Sequence, residues 1–273
     1  MLLPTLALLL LFALTVSAGA QTLPTIGTLI QDVQRNQQQL DKTRENYTFR
    51  EVQTLHELDK HGAVKKEEKR EYNVFFVNGH PIQRLVRKNG AALNAGEDAK
   101  ETDHIKHKIE QAEQTPPGDL LNSRHQVSIA RLLTIEHLNN ERRITMDNRP
   151  MIALDFAGDP KVQTHGIAED ASKHLSGTLW IDEHDRQVRR VQATLDSPFR
   201  LEMGLVSLST GSNFTFDQKI VNNEVWLPTS ASVHIEARAA VFLGYHIQVE
   251  IVDDQYRRFH ASADQQEGSP SKP

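Results

Sequence analysis

Histidine invites a chemical reading of this chain, which carries thirteen of them and no cysteine. Without a thiol there is no disulfide, no thiolate metal site and no thiol nucleophile. His56-Glu57 with His61 approaches a zinc-protease signature, but H-E-x-x-H sets its histidines four apart on one helical face. Here the spacing is five, in a stretch that reads as a strand and turn. His104 and His107 stand three apart on a predicted helix beside Asp103 and could share an ion with a third ligand. A solvated polar helix explains them better. Asp182, His184 and Asp185 form a D-x-H-D segment that a charged hairpin tip accounts for. Ser207 and Ser209 follow Gly204 without the G-x-S-x-G elbow of a hydrolase. The chain has no glycine-rich phosphate loop, and no carboxylate pair stands out for glycoside hydrolysis. These residue types predict no catalytic residue, no metal ligand and no cofactor.

The elements around them begin with an apolar run from Leu6 to Val16, followed by Ser17-Ala18-Gly19-Ala20. Ala18 and Ala20 fit an A-x-A cleavage site, so residues 1–20 are expected to be a signal peptide cut near Ala20-Gln21. Met1 to Thr5 lack the Lys or Arg usual in such a leader. The run falls short of the ~20 residues a membrane span needs. No cysteine stands at the cleavage site to carry an acyl chain, which excludes a lipoprotein. An exported chain of this size without disulfides fits a bacterial periplasm. Net charge is −5 with both signs interspersed, and the 6% of aromatic residues do not interleave with basic ones. That excludes nucleic acid and an anionic membrane surface as expected partners. No second apolar segment approaches span length, so the mature chain is expected to have no membrane span.

The roughly 250 residues after the leader can bury one large core. Residues 24–43 read as an amphipathic helix with Ile26, Leu29, Ile30, Val33 and Leu40 on one stripe. The period then drops to 2, and 46–90 reads as a three-strand meander with Asn78-Gly79 as a hairpin turn. A polar helical insertion is expected near 94–138. Asn94 and Glu97 cap its first helix, Thr115-Pro116-Pro117-Gly118 stops it, and a short second helix lies within 126–138. From about 140 to 260 long strands alternate with short turns, so sequence neighbours should pair antiparallel. Residues 21–260 are read as one domain, and the Gln-, Ser- and Pro-rich tail 261–273 as disordered.

Two stretches resemble a known group. Gly177-Thr178-Leu179-Trp180-Ile181-Asp182, a charged turn and Val188-Arg189-Arg190-Val191 are similar to the G-x-x-W-I-D … V-x-x-V hairpin of the lipoprotein-carrier superfamily. That superfamily includes LolA, LolB and outer-membrane lipoprotein-sorting-like proteins. Glu224-Val225-Trp226-Leu227-Pro228 resembles its later x-x-W-x-P strand. The resemblance spans most of 24–260, and its specific part is 177–195 and 222–236. It implies a mainly β (α+β) fold: a curved, incomplete antiparallel β-barrel wrapped around and capped by helices. It also implies a periplasmic, non-enzymatic carrier or binding protein for a lipid or lipoprotein acyl chain. The competing readings are an RseB-like cell-envelope signalling protein with a protein partner, and an exported enzyme. The polar segment 94–125 departs from the pattern. No residue matches those with which LolA takes and hands over cargo, so the resemblance does not carry acyl transfer itself.

An alternating strand has one apolar face. Half-closed around a helix, such a sheet leaves an apolar hollow where an acyl chain gains about 0.8 kcal/mol per buried CH₂. The candidates for its wall are Leu179, Ile181, Val191, Leu201, Met203, Leu205, Phe214, Phe216, Val233 and Ile235. Trp180 and Trp226 are candidates for its mouth, since Trp is large and amphipathic. Core packing is the competing reading for each.

Overall fold

The computed structural model describes residues 22–122, 126–201, 206–239 and 243–259. The expected cleavage point, the tail 261–273 and the candidates Met203 and Leu205 lie outside these ranges.

Local chemistry sets most of the elements. Helix α1 (Ile26–Arg44) starts at Thr25, whose hydroxyl accepts the Thr28 N–H. Strands β1 (Tyr47–Leu58), β2 (Val64–Val77), β3 (His80–Lys88) and the two-residue β4 (Ala91–Ala92) form the first meander. Asn78-Gly79 joins β2 to β3 with both residues at positive φ, the conformation that two-residue hairpins require. Asp147-Asn148 does the same between β5 (Glu136–Met146) and β6 (Arg149–Gly158). Helix α2 (Ala95–Gln114) carries the complete capping box, the Asn94 side chain and the Glu97 side chain each accepting the other residue's N–H. Helix α3 (Ile129–Ile135) is capped by Ser128. The short α4 (Ile167–Ser172) lies between β6 and β7, where the sequence signals no element.

After β7 (Leu175–Asp182) and β8 (Val188–Leu195) come β9 (Phe199–Leu201) and β10 (Val206–Leu208). The last three strands are β11 (Asn213–Val221), β12 (Val225–Ala239) and β13 (Leu243–Arg258). All pair in one sheet in the order β4-β3-β2-β1-β13-β12-β11-β8-β7-β6-β5, with β10 and β9 attached to the end of β12. Every pairing is antiparallel, and β4 and β5 do not meet, so the sheet does not close. The expectation of a mainly β, incomplete antiparallel barrel with helices against it therefore holds. Sequence neighbours pair within the meanders, and two non-local pairings, β1 with β13 and β8 with β11, join them into one sheet.

The core has three parts. The apolar stripe of α1 lies on β6, β7 and β8, where Leu29 and Val33 are wholly buried together with Leu133 of α3. Farther along α1, Leu40 packs beside a second cluster of Tyr47, Val221, Val225 and Leu227. The third lies beneath α2, where Ile105 and Ala112 pack with Ile82, Phe75 and Val77. Phe75 and Val77 alternate with Val74 and Phe76, so the end of β2 is covered on both faces. That is why its sequence runs apolar without alternation.

Candidate functional site

Antiparallel register lines up side chains that share a face. One row reads Leu138, Phe156, Gly177, Ala193, Phe214, Val233, Val249, Leu55 and Glu68, each directly opposite the next. The neighbouring row reads Leu154, Leu179, Val191, Phe216, Ala231, Ile251, Gln53 and Arg70. Both rows lie on the face that α1 covers; the first turns polar at Glu68 on β2 and the second already at Gln53 on β1. Gly177 keeps the first row flat. A Cβ there would come within 2.8 Å of the Phe156 ring and within 1.9 Å of the Gln192 carbonyl, so the glycine of the G-x-x-W-I-D stretch makes room for an aromatic ring.

Under α1 the rows are sealed: Leu154, Leu179, Ile181 and Val188 are at most 1% exposed. On β11, β12, β13 and β1 the same pattern continues and is only partly covered. Phe214, Phe216, Val233, Ile235, Ile247, Val249, Ile251 and Leu55 are all only half-buried. Tyr245, opposite Ala237 at the open end, is 47% exposed. At the usual strand spacing these four strands span about 15 Å.

Phe214 and Phe216 form part of the wall of a cavity of 1110 Å³. Their rings stack at 6.5 Å between centroids, 8° from parallel. Gln34 and Gln37 of α1 form another wall, and Gly79 to Gln83 at the start of β3 form a third. His104 and Lys108 of α2, the chain around 118–122 and 126–128, and Arg131 of α3 complete it. This volume exceeds the ~300–1,000 Å³ of a common small-molecule cleft. The lining is amphipathic, with Pro81, Ile82, Leu120, Leu121 and Val127 among the polar groups. Arg131 is held in place by the Glu169 carboxylate, with both bonds at 3.0 Å. The same carboxylate accepts the His165 N–H, and the Arg131 bond first of all holds its pKa below the usual range.

The sequence candidates fall into distinct places. Phe214 and Phe216 line the cavity, and Val233 and Ile235 lie on the same face beyond it. Leu179, Ile181 and Val191 are core residues under α1. Leu201 ends β9. Trp180 alternates with Leu179 and Ile181 on β7 and so takes the face away from α1. Trp226 is 3% exposed and borders a separate hollow of 250 Å³ between α1 and the β7–β8 turn.

That turn is a bonded unit. Asp182 is fully buried, accepts the backbone N–H groups of His184 and Asp185, and binds Arg149 at 2.6 Å. Asp185 takes the Trp226 indole N–H at 3.0 Å and an Arg149 bond at 2.8 Å, while Arg149 lies over the indole ring. Burial pushes the Asp185 carboxyl up. The bonds from His184 and Trp226 and the Arg149 charge outweigh it and hold the group below its usual value. The D-x-H-D segment thus anchors the W-x-P strand to the hairpin, which ties the two resembling motifs together physically. Among the described residues no three His, Asp or Glu side chains converge to hold an ion.

Two buried carboxyls were not legible as candidates. Glu136 stands where α3 meets β5, and burial pushes it up to about 7, with the Asp159 charge adding to the effect. Asp253 on β13, directly opposite Glu51, is also raised to about 7 by burial and then by the Glu51 charge. Its Oδ1 has no hydrogen-bond partner among the described residues. Glu51, by contrast, accepts the Gln53 and Gln83 side-chain amides.

No protein-family model matches the chain, and no curated protein matches it by sequence. Solved structures do match. A LolA superfamily protein from Nitrosomonas europaea aligns over 85% of this chain and 94% of its own, at 11% identity and a TM-score of 0.35. A putative outer membrane lipoprotein-sorting protein domain from Vibrio parahaemolyticus aligns over 90% and 95%, at 9% identity and a TM-score of 0.40. A DUF1329 family protein from Desulfovibrio piger aligns over 88% and 95%, at 9% identity and a TM-score of 0.41.

Proposed function

We propose that this protein is an exported, non-enzymatic binding or carrier protein of the cell envelope that holds an acyl chain on the open half of its inner sheet face. One observation carries the reading. The two apolar rows run past the sealed cluster onto β11, β12 and β13, one of them reaching Leu55 of β1, and there stay half-exposed, with Phe214 and Phe216 lining the 1110 Å³ cavity. A core-facing row is normally covered in a folded domain, and an uncovered one marks a binding surface. The rows offer apolar contact without directional groups, which suits a chain of methylenes at about 0.8 kcal/mol each. Among the described residues no helix is long and apolar enough to cross a membrane.

The test is binding of a fluorescent C16 fatty acid to the mature protein and to Phe216→Asp. The charge at the cavity wall is expected to weaken binding at least about ten-fold, the equivalent of 1.4 kcal/mol. His184→Ala, at the exposed hairpin tip, is expected to bind as the wild type does. Equal binding by both folded variants would refute the placement. Failure of the wild type to bind any acyl probe would favour the envelope-signalling reading and a protein partner.

A further inference from the structure

The acyl reading leaves the polar half of the cavity unexplained. The described lining residues include three cationic side chains, Arg44, Lys108 and Arg131, against one carboxylate, Asp119. Arg131 is neutralised by Glu169, and Arg44 donates to the Trp226 carbonyl. Lys108 is different. It is half-buried on the cavity side of α2, and among the described residues it has no hydrogen-bond or ion-pair partner. No carboxylate stands three or four residues from it on the helix: those positions are His104, Ile105, Gln111 and Ala112. His104, one turn earlier, adds a second donor to the same wall. His80 is set back, its Nε2 donating to the Thr115 carbonyl at 3.1 Å.

We infer that the ligand is an amphiphile with a singly branched polarity: an acyl tail laid along Phe214, Phe216 and Val233, and an anionic head, carboxylate or phosphate, seated at Lys108 and His104. This inference rests on the acyl-binding reading and adds the class and direction of the ligand. An unpaired ammonium beside a partly desolvated space gains from an anion there and is worsened by a cation, so the head charge decides affinity. Gln37 of α1 supplies a side-chain amide to the cavity wall, suited to the remaining head oxygens, beside Gln34, whose amide donates to the Ala130 carbonyl at 3.4 Å.

The test uses four C14 probes that differ only in the head: carboxylate, phosphate, alcohol and trimethylammonium, each displacing an uncharged fluorescent acyl probe. The anionic probes are expected to bind about ten-fold tighter than the cation. Lys108→Glu is expected to abolish that preference. Lys106→Glu, exposed and outside the cavity wall, changes the net charge equally and is expected to keep the preference. A preference for carboxylate over phosphate identifies a fatty-acid-like ligand, and the reverse a phospholipid-like one; either supports the inference. Tight binding of all four probes alike, or an unaltered preference in Lys108→Glu, overturns it and leaves acyl binding intact. No binding by any probe overturns both.

Discussion

The inner face of this sheet divides into two halves built from one pattern. On β6, β7 and β8 the rows end under α1, and their members have almost no exposed surface. On β11, β12, β13 and β1 the same face carries Phe214, Phe216, Val233, Val249, Ile251 and Leu55, yet all are only half-buried. The alternation is the same and the side chains are equally apolar, so the difference comes from the helix. Its stripe of Ile26, Leu29, Ile30 and Val33 packs on β6, β7 and β8, and farther along Leu40 reaches only the end of β11 and the starts of β12 and β1. Residue type therefore does not separate core from binding surface here; the reach of α1 does.

Substitutions on the two halves should separate accordingly. The largest effect is expected from Leu179→Ala in the sealed half: about 3 kcal/mol of stability lost in urea unfolding, from transfer and cavity costs together. Phe216→Ala in the open half should cost only about 1–2 kcal/mol in the same assay, because part of the ring is already in water, while acyl binding falls sharply. If Phe216→Ala were as destabilising as Leu179→Ala, the open half would be ordinary core.

The buried carboxyls sharpen the comparison through pH. Asp253 and Glu136 have folded-state pKa values raised to about 7, above their unfolded values. Their stabilising protons are fully held below pH 4 and are lost as pH rises through 7, so these two groups make stability fall across that window. Asp155, held down to about 2 first by the Arg142 bond, acts oppositely and is lost only as pH falls below 4. Asp253→Asn is expected to flatten the decline between pH 5 and 8 by about 1–2 kcal/mol, read from urea midpoints across pH. An unchanged slope would mean that Asp253 reaches water. Smallest is Trp226→Phe, which removes one N–H from Asp185 while Arg149 keeps its own bond. It should cost about 1 kcal/mol in the unfolding midpoint and leave acyl binding unaltered.

Much of the fold was readable locally. Asn78-Gly79 and Asp147-Asn148 carry the residues that positive φ favours, the α1 stripe has helical spacing, and Asn94 with Glu97 forms the expected cap. Local signals ran out at the edge strand β5: strands were expected from about residue 140, but β5 begins at Glu136. Its first residues are polar without alternation, and Asn140 sits at positive φ where the register shifts. The six-residue α4 has no stripe to betray it. The pairing of β1 with β13 joins residues some 200 apart and leaves no trace in a single sequence. The cavity was hidden for the same reason, because α1, β3, α2, the chain around 118–134 with α3, and β11 contribute to it from five separate stretches. Period 2 does send Trp180 opposite to Leu179 and Ile181, while the fate of Phe214 and Phe216 depends on where α1 ends.

The central claim is that the open half of the inner face holds an acyl amphiphile. Native mass spectrometry of residues 21–273, purified from a periplasmic extract without detergent, tests it most directly. A bound species that is released as an acyl-containing lipid, near one per protein, and is lost in Phe216→Asp is the expected result. A ligand-free wild-type protein that also takes up no acyl probe afterwards would contradict the account.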